Sequence, residues 1–477
     1  MGIFRKVLLF FGYLIFFSCS VSVRNSEDMG VLPDIFPDYI NVTVPANIAP
    51  LNFCCRGTQS RGILLIEGRQ DSIKVSSSGK FSIPRHKWQK LLEENKGGEI
   101  KLTVFTKNGD VWKKYKPFFI AIAPEPIDPY IAYRLIEPGY SAWDKMGIYQ
   151  RDIEGYHESP VYENRVSNFN CVNCHSFCMQ DPGQMLFHVR GGPNAGTILI
   201  KEEKTGKLNT KADTVHSPLV YPSWHPSGKY VAFSVNKTRQ VFYANNRDRV
   251  EVFDSKSDVV IYDIGKHEVF TTPLLSSENA FETFPSFSPD GKILYYCSAK
   301  ALTVPEKIDS VKYNLCSVSF DSERRTFGEK ADTIYNVKIS GGSAAFPRVS
   351  PDGEYLLFTL SEFGNFHIWH KDADLYLMDL KTGKYVDMQS VNSNDVESYH
   401  SWSSNSRWFV FGSRRMDGLY TRLYIAYLDN KGKTGKAFLL PQKDPEYYDR
   451  LMKSYNIPEM IKGKVEINSY DIVNHTR

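Results

Sequence analysis

A short pattern that returns along the second half of the chain constrains the fold more than any other feature. Tyr221-Pro222-Ser223-Trp224-His225-Pro226-Ser227-Gly228 reappears as Phe284-Pro285-Ser286-Phe287-Ser288-Pro289-Asp290-Gly291 and as Phe346-Pro347-Arg348-Val349-Ser350-Pro351-Asp352-Gly353. A looser copy is Tyr399-His400-Ser401-Trp402-Ser403-Ser404-Asn405-Ser406. Each copy reads as an aromatic strand, a reversing Pro/Asp/Gly turn and the start of a second apolar strand, which together make a hairpin. Strand-like runs downstream, such as 259–263 and 375–379, end at an acidic turn and extend the repeat to four strands. One such sheet cannot bury both of its faces, so the repeats must pack around a ring.

These turns resemble the TolB-like propeller repeats, and the resemblance covers about residues 170–442. It implies a fold and a capacity for docking, not an activity. The 28 Tyr and 30 Phe suit a pleated surface. The expected class is therefore all-β: a six-bladed β-propeller over 128–443, six blades being favoured over five. Residues 129–170 would supply the sixth, partial blade, and strands from 129–152 and 420–440 would close the ring. Short alternating stretches over 38–127 predict a small β-sandwich with a helix at 86–95. Tyr447, Leu451, Met452 and Tyr455 at helical spacing predict a capping helix, followed by a tail, within 444–477.

Arg5 and Lys6 precede an apolar run over 7–17 that ends at Ser18-Cys19. A charged head and an apolar stretch too short to span a bilayer read as an export signal over 1–19. Phe16-Phe17-Ser18-Cys19 resembles a bacterial lipobox, which implies lipidation of Cys19, a tether over 20–37 and a membrane-anchored lipoprotein facing the periplasm or the cell surface. The alternative is an ordinary cleaved signal in which Cys19 is incidental. The balance of 58 Lys+Arg against 54 Asp+Glu, a net charge of +4, is too even to favour nucleic acid.

The run Cys171-Val172-Asn173-Cys174-His175 has the spacing of a covalent c-type haem site, in which two thiols bond the porphyrin edge and the adjacent His binds iron. His175 falls where Pro222 and His400 stand in the repeats, so the motif opens a blade. His400, His188 and Met185 are the candidate sixth ligands of the haem iron. Two other readings stay open: Zn²⁺ held by Cys171, Cys174, His175 and Cys178, or a Cys171–Cys174 disulfide or free thiols with no cofactor. Asp290 and Asp352 read as turn residues, His367 and His370 as a solvated loop, and Arg414 and Arg415 as an exposed rim. Cys297 and Cys316 read as small buried apolar groups, and vicinal Cys54 and Cys55 as paired elsewhere or reduced. No nucleophile-elbow pattern argues for a hydrolase. Two functions follow: an envelope haem protein that exchanges electrons with a redox partner or senses through its haem, and a propeller that docks an envelope protein or glycan with a structural Cys motif.

Overall fold

The computed structural model describes residues 26–56, 61–137, 145–191, 195–210, 215, 217–243, 249–467 and 472. The expected signal segment and Cys19 lie outside them. The chain is all-β, with 49% strand and 8% helix, so its core must form between sheets.

Six antiparallel sheets follow one another among the described residues. Sheet A pairs Ser454–Ile461 with Tyr130–Ile136, then Gly147–Asp152 and Glu158–Glu163. Sheets B to F begin with Cys171–Phe177, Leu219–Trp224, Ala280–Phe287, Ser343–Val349 and Glu397–Trp402. These first strands touch in cyclic order, from Cys171–Phe177 round to Glu397–Trp402, then Ser454–Ile461, then back to the start. A ring of radially packed sheets with its first strands on the axis is a β-propeller.

The turn chemistry explains why the repeats reverse where they do. Ser288 Oγ donates to Asp290 Oδ1 at 2.6 Å, and Lys292 N donates to the same carboxylate oxygen at 3.1 Å. Ile293 N then donates to Ser288 Oγ at 3.0 Å, and Gly291 takes φ of +73°, open to glycine without strain. Ser350 and Asp352 repeat the set, with Ser350 Oγ donating to Asp352 Oδ1 at 2.6 Å. Asp290 is held below the usual carboxylate range, first by the Ser288 hydroxyl, as a structural turn anion would be.

On the axis each inner strand carries one residue with left-handed backbone beside a register shift. They are Cys174, Tyr221, Phe284, Phe346, Tyr399 and Ile457, with φ of +54°, +49°, +52°, +53°, +45° and +47°. Such values are uncommon for residues with a Cβ, and a bulge that kinks the strand is the usual cause. Four of the six are aromatic, and the kink drives their rings together, with centroids at 4.5 Å for Tyr221–Phe284, 4.3 Å for Phe284–Phe346 and 4.6 Å for Phe346–Tyr399.

Three expectations at the ends of the chain are corrected. The capping helix expected within 444–477 is one short turn, Tyr447–Arg450, after which Ser454–Ile461 runs as a strand. Pro458 cannot sit in a helix interior, and the backbone of this segment bonds to Tyr130–Ile136. This strand joins sheet A, whereas Arg422–Tyr427 and Phe438–Leu439, expected to close the ring, pair locally inside sheet F. The tether ends sooner than expected, because Ser26–Asp28 runs parallel to Val111–Lys114 and Ile35–Phe36 pairs with Cys54–Cys55. Beyond these lie a seven-stranded sheet, a three-stranded sheet and the helix Arg85–Glu94, whose Trp88, Leu91 and Leu92 face the core at helical spacing.

Candidate functional site

The ring leaves a cavity of about 340 Å³ on its axis, above the aromatic cluster. Arg134, Cys171, Asn173, Cys174 and Arg190 form one side of its lining, with Tyr221 and Tyr399 from the aromatic cluster. The opposite side comes from two excursions of the chain. Tyr230–Phe242 and Val250–Asp263 outgrow the other hairpins and lean in with Asn236, Gln240 and Val252. The 362–373 loop supplies Phe366, Ile368 and Trp369, and Arg414 stacks on Trp369 with its guanidinium 3.1 Å from the ring centroid.

Buried polar pairs hold these excursions against each other. Asp254 Oδ2 accepts from Asn236 Nδ2 at 2.8 Å and Asn365 Nδ2 at 2.7 Å. Glu251 Oε2 lies 2.7 Å from His370 Nε2, and His370 Nδ1 lies 2.9 Å from Ser361 Oγ. His367 and His370 are therefore buried, not solvated, because the hairpin covers the loop. Burial raises the Asp254 carboxyl to about 6, opposed by the hydrogen bonds from Asn365 and Asn236. Of the two arginines expected on an exposed rim, Arg414 is enclosed and Arg415 is partly buried. Arg414 is 4% exposed in the cavity wall, and Arg415 Nη2 sits 2.9 Å from the buried Glu397 carboxylate.

The CxxCH residues divide between two spaces. Cys171 and Cys174 open on the cavity, and neither is in a disulfide. His175 lies beyond the aromatic cluster in a second space of about 30 Å³, which it shares with Cys174, His400, Arg348 and Glu459. Neither His175 ring nitrogen makes a well-formed hydrogen bond, although the ring faces the backbone of Ile457. Burial, with the Arg134 charge, lowers His175 to about 3 and keeps it neutral. A neutral imidazole suits a metal, yet the gap between His175 and His400 has room for a water or two. A porphyrin bonded to both thiols and bound axially by His175 does not fit this arrangement.

The other candidate ligands are committed elsewhere. His400 Nε2 lies 3.1 Å from the Leu357 carbonyl oxygen, and His188 Nδ1 lies 3.2 Å from Thr197 Oγ1. Met185 packs in an apolar cluster with Val172, Phe187 and Ile200 between sheets. Cys178 is buried against Trp224 and Leu186, away from the other three residues of the zinc reading. Among the described residues no three His, Cys, Asp or Glu side chains are placed to hold a metal ion. Cys54, Cys55, Cys297 and Cys316 are all free thiols, and all but Cys55 are buried.

Sequence reasoning missed Arg134, Arg190 and Trp369. Arg134 had a signal, a lone cation in the apolar strand Tyr130–Ile136. Trp369 had none, since only the long hairpin makes its loop a wall.

No known protein family and no curated protein matches the chain. Among solved structures, it is similar to an oligogalacturonate lyase in complex with manganese, at 10% identity over 65% of this chain and 73% of that one, with a TM-score of 0.37. An oligogalacturonate lyase from Vibrio parahaemolyticus aligns at 10% identity over 63% of this chain and 92% of that one, with a TM-score of 0.33. A DUF4784 family protein from Bacteroides caccae aligns at 9% identity over 76% of this chain and 97% of that one, with a TM-score of 0.28.

Proposed function

We propose that this chain is an exported, lipid-anchored, six-bladed propeller that works as a binding module, taking a small ligand into its axial cavity while its outer surface faces other envelope components. The observation that carries the reading is the cavity itself, about 340 Å³, where strands of several sheets and two built-out walls converge on aromatic, thiol, amide and guanidinium groups. Pockets of this size with a few convergent polar groups are the usual form of a small-molecule site. Ser398 lines the cavity, so Ser398→Trp would fill it. Native mass spectrometry and thermal shifts against envelope extracts are expected to show a small molecule retained by the parent chain and lost in Ser398→Trp. Equal retention by both chains would sink the reading.

A covalent haem is the second reading. The CxxCH spacing favours it, as do two free thiols opening on one cavity. It requires His175 to leave its present pocket for the thiol side. An absorption spectrum of the chain exported alongside a haem-attachment system decides it: a c-type spectrum with a matching mass increase on the 171–175 peptide supports haem, and an unmodified peptide removes it.

A further inference from the structure

Within the binding reading, on which this step rests, we propose that the ligand carries an oxyanion, a carboxylate or phosphate, seated against Arg134 and Arg190 on the thiol side of the cavity. Three arginines line the space, Arg134, Arg190 and Arg414, against one acid, Glu137. That acid already has a cation, Lys453 Nζ at 3.8 Å. Neither Arg134 nor Arg190 has a carboxylate within salt-bridge distance among the described residues. Arg134 Nη1 donates to the Val172 carbonyl oxygen at 3.1 Å, and its Nε is buried without a partner. With the Asn173 amide turned so that its oxygen faces the guanidinium, Arg190 Nη2 and Nε donate to Asn173 Oδ1 at 3.1 and 3.2 Å, an amide contact that orients the guanidinium without neutralising it.

Both charges act on the same spot. Arg134 and Arg190 both line the cavity beside Cys171, Cys174 and Tyr399. A positive field in an enclosed, low-dielectric cleft concentrates anions. Guanidinium forks match the geometry of carboxylate and phosphate, which is why arginine marks such sites. Trp369, Tyr221 and Tyr399 leave flat apolar surface for the rest of the ligand. The site is therefore built for a compact organic anion with an apolar or ring-shaped body.

Cys171 serves as the probe of both claims. The full chain would be labelled with a dianionic aromatic disulfide and, separately, with a neutral dithiodipyridine, the rate at Cys171 being read by peptide mass mapping and normalised to glutathione. The anionic reagent is expected to win by about tenfold. Arg134→Gln with Arg190→Gln would bring that ratio near one, and benzoate or inorganic phosphate would protect Cys171 in the parent more than chloride at equal ionic strength. An unchanged ratio in the double variant, with neutral labelling intact, overturns the oxyanion and leaves the cavity reading standing. Failure of both reagents to reach Cys171, or equal labelling in Ser398→Trp, overturns the cavity reading itself. Protection by benzoate alone assigns a carboxylate, and protection by phosphate alone assigns a phosphate.

Discussion

Asp254 shows what one buried carboxyl does to the molecule that holds it. Its Oδ2 accepts two amide hydrogen bonds, while its Oδ1 is buried without a partner. With the folded value raised from 3.8 to about 6, the native state holds more protons than the unfolded state across that window. Its contribution to stability therefore falls as pH rises from about 4 to about 6 and stays flat above, a loss on the order of 3 kcal/mol. Asp254→Asn keeps an oxygen for both amides and cannot ionise. Denaturant titrations at pH 4.5 and 7.5 are expected to show the variant gaining on the parent at the higher pH, and an unchanged difference would refute this. The buried imidazoles act with the opposite sign. His400 is lowered to about 3 and His188 to about 4 by burial, so each is neutral in the fold while the unfolded chain takes up a proton below 6.5. Stability from these sites is present above 6.5 and lost as pH falls towards about 4. His188→Gln is expected to flatten that acid limb, as measured by melting temperature against pH.

At the scale of the element, the long hairpin Tyr230–Phe242 and Val250–Asp263 is a strut, and Glu251 is its far anchor. The Glu251–His370 contact is almost fully enclosed, so Glu251→Ala removes the carboxylate facing His370 Nε2 in a buried site, at a cost of about 2–4 kcal/mol. Hydrogen exchange is expected to quicken over 237–243 and 249–254 and in the 362–370 loop, with the turns of sheets B and F unchanged. Uniform quickening would instead make Glu251 a contributor to the whole fold. The repeats were legible in the sequence because an aromatic strand start precedes each turn and two of the turns are Ser-Pro-Asp-Gly, with His-Pro-Ser-Gly and Ser-Ser-Asn-Ser at the matching places of the others. Ile457-Pro458-Glu459-Met460 carries the same aromatic-or-apolar-then-Pro mark as Tyr221-Pro222-Ser223-Trp224, but lacks the following turn, so helical spacing in the preceding residues outweighed it. The thiol side of the cavity could be read from CxxCH. The opposite wall could not, because it exists only where a hairpin from sheet C meets a loop from sheet E, a contact with no local sequence signature.

For the whole molecule, the ring is closed by strands from the two ends of its sequence, and the N-terminal sheets are fastened over that closure. Asn52 Nδ2 donates to the Lys443 carbonyl oxygen at 2.9 Å, Trp408 Nε1 to the Glu125 carbonyl oxygen at 3.2 Å, and Ser404 Oγ to Asp128 Oδ1 at 2.6 Å. Arg151, fully enclosed, donates to the carbonyl oxygens of Gly155 and Pro441. One apolar cluster runs through both parts, from Ile35 and Trp88 to Trp408 and Tyr455. Parts that share a core have no independent stability, so the chain is expected to melt in a single transition. Removing residues 454–477 takes the inner strand out of sheet A, exposing the edge of Tyr130–Ile136 and the apolar face that Met460 and Ile461 cover. An open edge on an open ring invites pairing between chains. The truncated chain is expected to lose the cooperative transition and to associate, as read by calorimetry and light scattering. Adding the 454–477 peptide in trans is expected to restore part of the transition, since that strand contributes through its own backbone ladder. A truncated chain that stays monomeric and melts like the parent would show that the five remaining sheets and the N-terminal sheets hold the ring without it.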